Sequence, residues 1–161
     1  MLLADARAIA DKTLAQLTPY CIRASIAGSI RREKPDCKDI ELVVIPRSRD
    51  LAQFADAVNR WHKIKGEPSG RYTQRYLPDG IKLDLFMAEL TNFGAILLIR
   101  TGDANFSEWF VAEALPKAGF RMKEGWVHKR GLRIPTFEEG DMFRLAGLDY
   151  IPPSQRIGRR P

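Results

Sequence analysis

Asp39 and Glu41 stand two residues apart at the head of the apolar run Leu42-Val43-Val44-Ile45. Side chains alternate along a strand, so both acids point to one side while Ile40, Leu42 and Val44 point to the other. Two carboxylates held close repel each other. Such a pair persists where a positive ion sits between them, and hard divalent cations such as Mg²⁺ prefer oxygen donors of this kind. The acids are preceded by Gly28-Ser29 and Arg31-Arg32. A turn rich in backbone N–H groups with arginine nearby suits an anionic phosphate. Divalent metal together with phosphate is the chemistry of phosphoryl or nucleotidyl transfer.

A third acid extends the set. Pro78-Asp79-Gly80 is a turn signal between two strand-like runs within residues 71–87, which predicts a hairpin. On its second strand Ile81, Leu83 and Leu85 share one face, and Lys82, Asp84 and Phe86 share the other. An Asp in a strand this apolar is costly to bury without a partner. If that strand pairs beside the Asp39 strand, the three carboxylates converge as a two-metal displacement at phosphorus requires. Taken singly, each feature is what a solvated strand edge also shows. Their order and their shared strand context make the chemical reading.

The elements that must position these residues are legible in outline. Apolar residues at Leu3, Ala6, Ile9, Ala10, Leu14 and Leu17 have helical spacing. Residues 21–27 read as a strand that runs into the Gly-Ser turn. Residues 50–63 read as a second amphipathic helix, with Leu51, Phe54, Ala55, Val58 and Trp61 on one face. The apolar run 92–99 fits either a helix or a strand. Residues 104–118 look helical, with Trp109 read as core. Two short strands follow around Trp126–His128 and Leu132–Ile134, and Thr136 with Glu139 forms a capping-box pattern for a last helix that Gly147 stops. The predicted fold is α+β.

With these residues in view, the chain resembles the nucleotidyltransferase superfamily of DNA polymerase beta, and within it the family X DNA polymerases. The shared features are Gly28-Ser29, Arg31-Arg32, Asp39-x-Glu41 and Asp84, then Thr101-Gly102-Asp103, which is similar to the family's Thr-Gly-Ser motif, and Tyr150 to Arg156, which is similar to its closing Tyr-x-x-Pro-x-x-Arg. The resemblance implies a palm of mixed strands backed by helices over residues 1–90 and a thumb-like subdomain over 91–161. It further implies two Mg²⁺ ions per site, with Mn²⁺ as a substitute. Asp39, Glu41 and Asp84 would be both ligands and catalytic residues, and Asp84 would help activate a primer 3′-hydroxyl. Gly28, Ser29, Arg32, Lys38, Thr101 and Gly102 would hold a nucleoside triphosphate. Lys82 and Arg156 would contact nucleic acid. The implied partners are primer–template or gapped DNA, in repair or gap filling.

Three departures from the family pattern stand out. Glu41 replaces the usual Asp and is one methylene longer. Ile99-Arg100 stands where a Tyr-Phe pair usually lies against the sugar. Cys37 and Lys38 occupy a loop where Ser or Gly usually touches phosphate. No helix-hairpin-helix pattern precedes the predicted palm. The expectation is therefore no 5′-deoxyribose-phosphate lyase activity and weak DNA affinity for the chain alone, with an accessory protein or a short gap supplying position. In this it resembles minimal palm-and-thumb members found in phages and bacteria.

Composition sets outer bounds. The 161 residues carry a net charge of +6 and 45% hydrophobic residues, ordinary for about one globular domain. The basic balance fits a polyanionic partner. No run is long and apolar enough for a membrane span, and no signal-peptide pattern is seen, so the default expectation is a cytoplasmic or nucleoid-associated protein, with a viral origin compatible. Two cysteines and two histidines make neither a disulfide framework nor a zinc site. Two other function classes share parts of the pattern. A nucleotidyltransferase acting on a small molecule, a protein or tRNA would keep Gly-Ser and the acids, with less need for Thr101-Gly102, Tyr150 to Arg156 and a basic surface. A nucleic-acid-binding module with a decayed site would explain Glu41.

Overall fold

The structure, a computed structural model, describes residues 1–161. The chain divides into two compact units, Met1–Ala88 and Glu89–Pro161.

In the first unit, helix α1 (Leu3–Leu17) leads to strand β1 (Cys21–Ile26) and a one-turn helix α2 (Gly28–Arg31). Strand β2 (Asp39–Pro46), helix α3 (Leu51–Asn59) and strands β3 (His62–Lys65), β4 (Tyr72–Tyr76) and β5 (Lys82–Met87) follow. The sheet order is β1-β2-β5-β4-β3. All neighbours are antiparallel except β2 and β5, which run parallel. One face of this sheet is apolar. Ile40, Leu42 and Val44 of β2 and Leu83 and Leu85 of β5 join Ala6, Ala10, Phe54 and Val58 of the helices in one buried cluster. The alternation that aims these residues inward aims Asp39, Glu41 and Asp84 to the opposite face.

Helix α3 is shorter than its apolar spacing predicts. It ends at Asn59; Trp61 turns into the core, and His62–Lys65 pairs with β4 as an exposed edge strand. An edge strand with both faces in water needs no apolar alternation, so the sequence pattern passes over it. Within the expected helix face, Leu51 is exposed and Ala57 is buried.

The second unit begins with α4 (Phe93–Thr101), which resolves the run 92–99 as helix. Helix α5 (Ala104–Trp109) continues through a π-helical turn at Phe110–Ala114 into α6 (Leu115–Lys117). A three-stranded antiparallel meander follows: β6 (Arg121–Lys123), β7 (Trp126–Lys129) and β8 (Leu132–Ile134). Helix α7 (Glu139–Leu145) comes last. Its N-cap is Glu138, whose N–H donates to the Asp141 carboxylate at 3.0 Å. The Thr136/Glu139 box is thereby corrected by two residues. Thr136 is buried and its carbonyl accepts from Gly94 N–H, while Glu139 is buried within the helix. Phe106, Trp109 and Phe110 pack with Val127, Met142 and Phe143 in this unit's own core.

Candidate active site

Register decides what the acids can do. In the parallel β2–β5 pair Glu41 lies directly beside Asp84, and Asp39 beside Lys82. Residues paired in register point to the same side, so all three carboxylates and the Lys82 ammonium occupy one face. Strand β4 extends that face: Gln74 lies opposite Asp84, and Tyr72 opposite Phe86.

Two of those neighbours hold Asp84 in place. The Tyr72 hydroxyl donates to Asp84 Oδ1 at 2.5 Å, and the Gln74 amide donates to the same oxygen at 2.8 Å. Tyr72 is itself stacked on Phe86 with ring centroids 5.1 Å apart, and the Lys65 ammonium lies 5.4 Å from its ring centre. Both bonds fall on Oδ1, which directs any further ligand toward Oδ2. Nothing in the order of motifs singles out Tyr72 or Gln74. Their register on β4, Gln74 opposite Asp84 and Tyr72 two residues away on the same face, is the only signal, and it requires knowing the pairing.

The Gly-Ser turn is fixed from two directions. Ile30 is fully buried in the core beneath it, and Arg7 of α1 donates to the Ile30 carbonyl at 2.9 Å. Gly28 has φ of +61°, a left-handed conformation that favours glycine, and a Cβ there would stand 1.7 Å from Glu41 Oε2. The Glu41 carboxylate therefore rests against the Gly28 backbone. Helix α2 leaves its leading backbone N–H groups without intrahelical partners. Beside them the Ser29 hydroxyl is buried with no hydrogen-bond partner. A buried hydroxyl normally has a partner, and one without calls for an explanation.

Charge around Asp39 is unbalanced. Burial, and then the Asp84 charge, push its carboxyl above the usual range, while Arg32 and, less strongly, Lys38 pull it back. Arg32 is half-buried and Lys38 exposed. The three acids share a face without being drawn into a closed set of ligands, since Asp84 is held by Tyr72 and Gln74 and Glu41 leans on Gly28. Like charges repel in the absence of a counter-ion. The donors are all oxygen, the type a hard divalent cation takes, and the three acids do not converge on one point.

The remaining candidates lie in the second unit. Thr101 ends α4 and is fully enclosed, so the expected side-chain contact with a nucleotide is corrected. Gly102 follows it; a Cβ there would meet Phe106 Cδ1 at 2.5 Å and Ser107 Oγ at 2.8 Å, so close packing alone demands glycine. Asp103 caps α5 by accepting from Phe106 N–H at 2.8 Å, and its two carboxylate oxygens accept from Gly158 N–H at 3.1 and 3.0 Å. Arg156, expected as a nucleic-acid contact, is corrected too. It is fully buried, paired with Glu139, donating to the Ile151 carbonyl at 2.8 Å, with its guanidinium 5.2 Å from the ring centres of both Phe143 and Tyr150. A cation this enclosed anchors the core and reaches no partner.

Comparison with known proteins agrees with the second unit's architecture. Residues 96–157 match the family model of the DNA polymerase beta thumb. The chain is 27% identical over 161 residues to DNA polymerase lambda of Rattus norvegicus, in an alignment that covers 80% of this chain and 28% of that protein. The chain thus spans about 28% of the curated relative's length. Both findings point the same way: the chain is similar to family X DNA polymerases, and its thumb match lies within the second unit.

Proposed function

We propose that the first unit is a nucleotidyltransferase palm and that the chain adds nucleotides from nucleoside triphosphates to a primer 3′-hydroxyl. The observation that carries this reading is the shared face of Asp39, Glu41 and Asp84 beside a buried Ser29 hydroxyl without a partner. Acids collected on one sheet face and an unpartnered hydroxyl at a helix start are the two halves of a metal–phosphate site.

Asp39, Glu41 and Asp84 would hold a pair of divalent cations, Mg²⁺ or Mn²⁺. When bound, such a pair favours the ionised form of the attacking hydroxyl and offsets charge on the departing pyrophosphate. Tyr72 and Gln74 keep Asp84 turned so that Oδ2 faces the reacting centre. Ser29 and the leading N–H groups of α2 donate to phosphate oxygens, and Arg32 offsets their charge. Lys82, beside Asp39 in register, attracts the primer's terminal phosphate, and Lys38 lines the nucleotide from a loop position. The 3′-hydroxyl attacks the α-phosphorus and pyrophosphate leaves. Positioning and electrostatics supply the acceleration, as in phosphoryl transfer generally. The DNA is primer–template or gapped, and an accessory protein aids its positioning.

The test is extension of templated, gapped and single-stranded primers with deoxy- and ribonucleotides, in Mg²⁺ and in Mn²⁺. Asp84→Asn is expected to reduce addition to background with folding unchanged. Near wild-type extension by that variant would overturn the reading. Carboxylate-dependent Mn²⁺ binding followed by titration is expected in the same preparation; its absence would assign the chain to nucleic-acid binding alone.

A further inference from the structure

The meander of the second unit has two unlike faces. Met122, Val127 and Ile134 face the core. Register places the other face in rows: Arg121 opposite His128 and His128 opposite Arg133, with Lys123 opposite Trp126. Arg121, Lys123 and Arg133 are exposed and His128 is half-buried. The Arg133 guanidinium lies over the Trp126 ring at 4.0 Å, which fixes the end of the row. The His128 Nδ1 is engaged with the Trp126 carbonyl at 3.0 Å, which fixes its middle. Arg121, Lys123, His128 and one acid, Glu124, line a hollow of about 410 Å³ on this surface. Cations crowded on one face repel, so their collection asks for an anion, as the acids of the first unit ask for a cation.

We propose that this outer face, Arg121–His128–Arg133 with Lys123, binds the phosphate backbone of DNA. Cross-strand neighbours stand about 5 Å apart, so the two outer strands present cations about 10 Å apart with the His128 imidazole between them. Phosphates recur about every 3.4 Å of axis along one strand, and such a row meets several of them in succession. Arginine's planar fork suits phosphate oxygens better than a point charge does. The surface itself is independent of the carboxylate chemistry; the choice of DNA as the polyanion rests on the proposed function.

The experiment is fluorescence anisotropy of the full chain with a labelled duplex, in EDTA and without nucleotide, across a salt series. The Arg121→Ala/Lys123→Ala/Arg133→Ala variant is expected to make the slope of log affinity against log salt less steep by about 2.7, at about 0.9 per phosphate contact. Arg121 and Lys123 lie on the exposed edge strand, so the double variant retains the fold even where loss of the Arg133–Trp126 contact does not, and it is expected to change the slope by about 1.8. A control removes three exposed cations of the first unit, Lys12, Arg49 and Arg60. An unchanged slope in the double variant, or an equal change in the control, overturns the inference. Because the assay contains no metal, a chain that fails to extend primers yet shows the slope change loses the proposed function and keeps this surface; a chain that extends primers with no slope change does the reverse.

Discussion

Charged side chains withdrawn from water meet opposite treatment in the two units. In the second, Arg156 and Glu139 are both enclosed and paired with each other, and a backbone carbonyl and two aromatic rings also contact the arginine. In the first, three acids share one sheet face, and burial together with a neighbouring negative charge raises one of them. A matched pair is architecture: its removal costs folding energy. Acids collected on one sheet face with Lys82 beside them serve an external partner in the proposed reading, and their weakening costs binding. The contrast gives a rule for telling the two apart when neither has been assayed.

The contrast breaks most visibly at Arg156. Arg156→Ala removes the ion pair to buried Glu139, and the second unit is expected to lose about 3–5 kcal/mol of stability, measured by urea denaturation followed through tryptophan fluorescence. Little change there would dissolve the distinction. Gly28→Ala comes next. Its Cβ would stand on Glu41 Oε2 in a left-handed conformation, so a cost of about 1–3 kcal/mol is expected together with loss of nucleotide addition, seen in parallel melting and extension assays. Tyr72→Phe removes one donor to Asp84 and leaves the ring stack intact. Metal affinity is expected to fall about 10–100-fold, as for partners that orient a metal's ligands, with an unchanged melting temperature; Mn²⁺ titration by paramagnetic resonance reads it.

The smallest effect sharpens the comparison through pH. The folded Asp39 carboxyl lies above its unfolded value. The folded state therefore binds its proton more tightly, and stability falls as pH rises from the unfolded value through the folded one. Ionised Asp39 is a liability at neutral pH. Asp39→Asn is expected to raise the melting temperature slightly at pH 7 in EDTA, and the gain is expected to vanish in acid, where the wild-type carboxyl is protonated. A drop in stability at pH 7 would show that the acids are held as structure.

Much of this was legible because it follows from period. Alternation along residues 39–45 and 81–87 separates acids from core without reference to any other segment, and Pro78-Asp79-Gly80 marks its own turn. Pairing is different. The parallel contact of β2 with β5 spans some forty residues and alone brings Asp84 beside Glu41, while the roles of Tyr72 and Gln74 depend on the exact register of the β4–β5 hairpin. Arg156 misled for a related reason: a basic residue near a basic terminus looks solvated, and its partner lies seventeen positions earlier on α7. His62–Lys65 carries no apolar signal, being held by backbone bonds at a sheet edge.

Asp103 ties distant stretches of the polypeptide together. Its carboxylate both starts α5 and clasps Gly158, while its own N–H donates to the Arg156 carbonyl at 3.0 Å. The bend at Gly102 is thereby sewn to residues more than fifty positions later. Loosening either end of that stitch would free both, so the rigidity of a loop in mid-chain is governed by residues far along the sequence from it.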